Sequence, residues 1–133
     1  MDRDIYYGRV KLDGKEHGNT LLAGGNYAST LIDLQRFEEA KSLSRILIPA
    51  VRRVFGESHE LTLRTRANYA LALYQNAAAT LDDRREAVST LEDAERIARR
   101  VFGRAHPDTA AIEASLQKAR AALRARETPS RSA

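Results

Sequence analysis

The 133-residue chain has no cysteine and no tryptophan, one methionine and three prolines. Without thiols there are no disulfides, no thiolate metal centres and no cysteine nucleophile, and a reducing compartment is permitted. Lysine is scarce beside arginine, yet 22 basic residues against 18 acidic ones leave a net charge of only +4. That balance names no partner by itself. Phe and Tyr make up 6% of the chain, too few to interleave with the arginines as stacking platforms for nucleic-acid bases. No long apolar run occurs, and the charged start Met1-Asp2-Arg3-Asp4 has none behind it. A signal peptide or membrane anchor is therefore not expected, and the chain reads as soluble and cytoplasmic. No stretch alternates with period two, so a sheet has nothing to be built from. Neither a Gly-x-Ser-x-Gly elbow nor a phosphate-cradling glycine loop is found, and no catalytic residue is assigned.

What the chain does contain is an internal repeat. Gly-x-x-His occurs at Gly14 to His17, Gly56 to His59 and Gly103 to His106. Asn26-Tyr27-Ala28 returns 42 residues later as Asn68-Tyr69-Ala70, and Arg52-Arg53-Val54-Phe55-Gly56 returns 47 residues later as Arg99-Arg100-Val101-Phe102-Gly103. The second unit therefore carries five extra residues, placed near Ala77 to Asp83. A fixed repeat of this length points to units that bury their apolar faces on one another.

Each unit reads as two helices. Leu21, Ala28 and Leu31, with Tyr27 and Leu34 alongside, keep the helical period, and Leu63, Ala70 and Leu73 with Tyr69 repeat the stripe. Phe37, Ala40, Leu47, Val51 and Val54 mark the second helix of one unit; Ala87, Leu91, Ala94, Ala98 and Val101 mark that of the next. Gly14, Gly56 and Gly103 stand where a helix end favours positive φ. His106 precedes Pro107 at a first helical position, with Asp108 in the first turn. Thr80-Leu81-Asp82-Asp83 reads as a capping box, and Pro49 predicts a kink inside its helix. Gly24-Gly25 lies inside a helical stripe and is expected to permit close packing. The three histidines fall at equivalent positions of successive units, too far apart to share a metal, and are expected to be structural caps; no metal or cofactor is implied. Residues 1–14 match only the end of a second helix, and 107–126 form a capping helix with a narrow apolar stripe. Together 1–126 make one helical repeat domain, followed by an expected disordered tail at 127–133.

These residues resemble the tetratricopeptide repeats of the kinesin light chain type, with Gly-x-x-His-Pro-x-Thr between units and Asn-x-Ala inside the first helix. Here the pattern stands as Gly103-Arg-Ala-His106-Pro107-Asp108-Thr109, as His59-Glu-Leu-Thr62-Leu63, and as the two Asn-Tyr-Ala tripeptides. The resemblance covers about residues 12 to 123. His17 and His59 lack the following proline, and Ser115 replaces the third Asn. It implies an all-α solenoid of antiparallel helix pairs wound as a right-handed superhelix, whose first helices line a concave face for extended peptides. Carried over by position, the peptide-binding residues are Leu22, Asn26, Ser29 and Asp33 in one unit and Arg64, Asn68, Leu71 and Gln75 in the next. An Asn amide both donates and accepts, so it suits a peptide backbone; the plainer reading is that it ties neighbouring helices together. Arg64 is a candidate contact for a carboxylate.

The implied function is a non-enzymatic interaction module or scaffold that binds a protein or peptide segment. The alternative is a structural or nucleic-acid-associated subunit working through the arginines of the second helices, Arg52, Arg53, Arg84, Arg85, Arg96, Arg99 and Arg100. Against it, Glu92 and Glu95 precede Arg96 and Arg99 by four residues and predict internal pairing. Two full units are near the minimum for a stable stack, so self-association through the terminal helices is also expected to be open to the chain.

Overall fold

The computed structural model describes residues 2–127. Among them every regular element is a helix: α1 (Asp2–Asp13), α2 (Gly18–Asp33), α3 (Phe37–Phe55), α4 (Glu60–Tyr74), α5 (Leu81–Phe102) and α6 (Pro107–Glu127). The helical period of the apolar residues places all six. Pro49 lies within α3, which carries on past it to Phe55. Helix α6 includes Glu127, and the rest of the expected tail, 128–133, lies outside the described residues.

One joint, used three times, leads from a second helix into the next first helix. Gly14, Gly56 and Gly103 take φ of +89°, +90° and +90°, and their amides donate to the carbonyls of Val10, Arg52 and Arg99 at 3.0–3.1 Å. A side chain at such φ is strained, so glycine is required. Three residues on, an imidazole Nδ1 accepts from the backbone two positions ahead: His17 from Asn19 at 3.1 Å, His59 from Leu61 at 3.0 Å, His106 from Asp108 at 3.0 Å. Each histidine thus does the work of an N-cap. The rings of Phe55 and Phe102 lie 4.6 and 4.8 Å from those of His59 and His106. Three residues further, Thr20, Thr62 and Thr109 are wholly buried. The Thr62 hydroxyl donates to Gly56 O at 2.7 Å and that of Thr20 to Arg9 O at 3.2 Å, tying the starts of α4 and α2 to the helix before each, whereas the Thr109 hydroxyl is buried without a hydrogen-bond partner.

The turns inside the two units differ. Between α2 and α3, Gln35 takes φ of +60°, its amide donates to Ile32 O, and the Arg36 amide donates to Leu31 O. These are the two bonds of a Schellman ending. Between α4 and α5 the five extra residues are divided. The turn spans 75–80, where the Asn76 side chain accepts from Ala78 N at 3.0 Å, and α5 begins three residues earlier than α3 does in the repeat register. Thr80 and Asp83 close the expected capping box with bonds of 3.0 and 3.1 Å.

Helices touch only near neighbours: each packs on the next in sequence, and in addition α2 packs on α4 and α4 on α6. The backbones of α1, α3 and α5 do not pack on one another. The core falls into two parts. Leu21, Leu31, Leu47 and Val51 centre the first, between α2 and α3; Leu63, Leu73 and Leu91, with Ile112 and Leu116, centre the second. Gly24 lets α3 come close, because a Cβ there would stand 2.6 Å from Leu47 Cδ2 and 3.0 Å from Tyr6 Cε1.

Candidate binding face on the first helices

The row α2, α4, α6 offers one continuous face. On it the helical period brings out residues at steps of three and four, which is why the expected positions share a side: Leu22, Asn26, Ser29 and Asp33 on α2, Arg64, Asn68, Leu71 and Gln75 on α4. Leu22, Asn26, Asp33, Arg64 and Gln75 are exposed, and Ser29 and Leu71 are half-buried.

Three hollows divide this face. The first, about 210 Å³, lies between α4 and α6 and is lined by Leu63, Ala67, Asn68, Leu71, Ile112 and Ser115, among others, with Arg64 and Glu60 at its edge. The second, about 390 Å³, lies between α2 and α4 and contains Leu22, Phe55, Leu61 and again Arg64. A third, at the far end of the row, brings Asp33 and Gln75 together with Ile32, Phe37, Tyr74 and Lys118. Arg64 therefore stands between two apolar hollows. It is exposed and makes no ion pair among the described residues. Asp108 lines the first hollow too, and its carboxylate lies 3.9 Å from His106 Nδ1.

The two asparagines part company. Asn68 is buried at 8% exposure, and its Nδ2 donates to Ser29 Oγ at 3.0 Å. One side of its amide is therefore committed to holding α4 against α2. Asn26, in the same slot one unit earlier, is exposed. Reading the first two units alone misses the α6 contribution. The 47-residue spacing that relates α4 to α6 places Ala111, Ser115 and Lys118 in the slots of Arg64, Asn68 and Leu71, and is the signal that finds it.

Arg66 is not singled out by the sequence. It is 6% exposed, its Nη2 donates to Asp93 Oδ2 on α5 at 2.6 Å, and its Nη1 is buried without a hydrogen-bond partner. The bond from Arg66, more than the nearby charges, holds the Asp93 carboxyl below the usual carboxylate range. Beside it Arg45 Nε donates to the Tyr69 hydroxyl at 3.3 Å, which donates to Glu86 at 2.7 Å. Burial, and then the bond to Glu86, push the Tyr69 phenol up.

The opposite side of the molecule carries the arginines of α3 and α5, and most are paired. Arg52 meets Glu57 at 2.9 Å, Arg53 meets Glu16 at 2.7 Å, Arg85 meets Asp82 at 3.6 Å, and Arg99 pairs with Glu95 as the spacing predicts. Arg96 departs from expectation. Its partner is Asp93, one helical turn back, while Glu92 is drawn across to Arg120 on α6 at 3.1 Å. Arg84 reaches α6 as well, donating to Ala122 O at 3.0 Å.

Among the described residues no helix is long and apolar enough to cross a membrane. Comparison with protein-family models, with curated proteins and with solved structures yields no match.

Proposed function

We propose that the chain is a right-handed tetratricopeptide-type stack, similar to kinesin light chain repeats, that binds a peptide segment of a partner protein along α2, α4 and α6 without catalysing a reaction. The neighbour-only order of helix contacts and the thrice-used Gly-x-x-His-x-x-Thr joint support the repeat reading. The observation that carries the binding reading is Arg64, an exposed guanidinium with no acidic partner among the described residues, set between two apolar hollows. Such a group pairs with a carboxylate of an extended peptide whose neighbouring apolar side chains enter the hollows. Asn26, Leu22, Leu71 and Gln75 extend the contact along the row, Asp33 offers an acidic end, and Ser29 and Asn68 brace the wall between.

Selecting peptides from a displayed library and titrating the winners by fluorescence anisotropy tests this. Arg64→Ala should weaken binding about tenfold, the equivalent of about 1.4 kcal/mol, whereas Arg99→Glu with Arg100→Glu should leave it within twofold. Equal binding by Arg64→Ala would remove the groove from consideration. Loss of binding only in the Arg99/Arg100 variant would move the function to the arginine side and to an acidic or nucleic-acid partner. The ion pairing of Arg52, Arg53, Arg85, Arg96 and Arg99 weighs against that second reading.

A further inference from the structure

The described helices open and close out of phase. Helix α1 fills a second-helix slot, since Gly14 ends it as Gly56 ends α3 and Gly103 ends α5. Helix α6 fills a first-helix slot, capped by His106 as α4 is by His59, with Thr109 buried as Thr62 is. In the two full units the second helix is covered by the first helix before it, α3 by α2 and α5 by α4. Helix α1 has no such cover among the described residues. Ile5, in the slot of Leu47, is 53% exposed where Leu47 is 2% exposed.

A polar register position gives an independent sign. Asn68 reaches from α4 to Ser29 on the preceding first helix. Asn26 holds the same slot on α2 and is exposed, with no first helix before it among the described residues. On α6 the slot of Ser29 is filled by Lys118, also exposed, and an ammonium donates to an amide oxygen.

We propose that the chain associates head to tail with further copies of itself, α6 of one copy lying antiparallel on α1 and beside α2 of the next. The alternation of first and second helices then passes from copy to copy without a break. This rests on the repeat reading given above, though not on the peptide groove. Charge fits at the ends: the acidic first turn of α1, with Asp2 and Asp4, runs beside the basic last turn of α6, with Arg124 and Arg126. One register pair has the wrong sign, because the Arg66–Asp93 bond that ties α4 to α5 maps onto Glu113 of one copy and Asp4 of the next. The contact length is set by α1, 12 residues or about 18 Å of helix. A contact with so short a helix is modest, so association depends on concentration. It is also heterologous and therefore adds copies in series.

Sedimentation equilibrium of the intact chain over a wide concentration range tests it. The average mass should rise steadily with concentration. A head-blocked variant, Ile5→Asp, and a tail-blocked variant, Gln117→Glu with Ala121→Glu, should each stay monomeric; all three positions are exposed, and circular dichroism checks that the helices persist. An equimolar mixture of the two should form a species of two chains and stop there. Glu113→Arg restores the Arg–Asp pair across the contact and should raise the association constant several-fold. A wild-type chain that stays monomeric throughout overturns the inference. So does a tail-blocked variant that still dimerises, which would mean α1 pairs with itself, and so does a Glu113→Arg chain no tighter than wild type. Peptide titration of wild type beside the two blocked variants keeps the readings apart. Normal peptide affinity in a wild-type chain that never associates sinks only this inference, and wild-type association without peptide binding sinks only the groove.

Discussion

Gly24 and Arg66 occupy the same slot of successive units, and their environments explain why. On α2 the slot is crowded by Leu47 and Tyr6; on α4 it holds a guanidinium that crosses to Asp93. Gly24→Ala would gain about 1 kcal/mol in helix propensity, but the methyl meets Leu47, which is 2% exposed and has nowhere to retreat. Overpacking of this kind costs about 1–3 kcal/mol, so a net loss of stability is expected in a urea melt; a more stable Ala variant would show that the helices slide apart cheaply. Gln35 works the other way. It holds φ of +60°, where a side chain costs about 1–2 kcal/mol relative to glycine, and Gln35→Gly should raise the urea midpoint despite the extra freedom of the unfolded chain. Asp93 supplies the pH dependence. Its folded-state pKa lies below the unfolded one, so its contribution is present above the ordinary carboxylate pKa and is lost as pH falls through the folded value. Wild type should therefore be more stable than Asp93→Asn at neutral pH, with the gap closing as pH falls from the ordinary carboxylate pKa through the lower folded-state value, beneath which both carry an uncharged side chain. A gap independent of pH would place the effect in packing. The close packing at Gly24 is readable from a glycine inside an apolar stripe. The role of Arg66 is not, because its equivalent is a glycine and the repeat gives no notice of it.

At the level of single helices, capping carries the prediction. His59→Ala removes the acceptor for the Leu61 amide and the ring tilted against Phe55. A loss of about 1 kcal/mol, typical of an N-cap, is expected, and His59→Asn should recover most of it. If Asn recovered nothing, the ring contact with Phe55 would matter more than the cap bond. The five-residue insertion shows both how far the sequence speaks and where it stops. Its place near Ala77 to Asp83 and the Thr80–Asp83 box are legible from residue types. Its division between a longer turn and an earlier start of α5 is not, since a turn of 75–80 and a shorter one with a longer helix keep the same spacing of Ala40 and Ala87. The early start matters, because it brings Arg84 within reach of Ala122. Likewise the i,i+4 rule finds Glu95–Arg99 but not Glu92, which answers to Arg120 on a helix that linear spacing does not bring near it.

For the molecule as a whole, the six helices and their order follow from periodicity because the same joint recurs three times, and each occurrence checks the others. The candidate face is legible on α2 and α4, where Asn-x-Ala marks the register. The hollow between α4 and α6 is not, since Ala111, Ser115 and Lys118 share no residue type with Arg64, Asn68 and Leu71. Surface charge follows the same division. Most arginines on α3 and α5 are paired with carboxylates, while Arg64 on the open row makes no ion pair among the described residues.

That every helix meets only helices one or two places away in the chain also governs how the chain reaches this arrangement. Contacts between residues close in sequence need little loop closure before they are rewarded, so folding is expected on the microsecond-to-millisecond scale common to helical domains of low contact order. The two parts of the core, one around Leu47 and one around Leu91, meet at α4, with Ile48 of α3 also packing on the second. Either half can therefore form first and template the other, and a lesion in one half should slow its own folding while leaving the route through the other open.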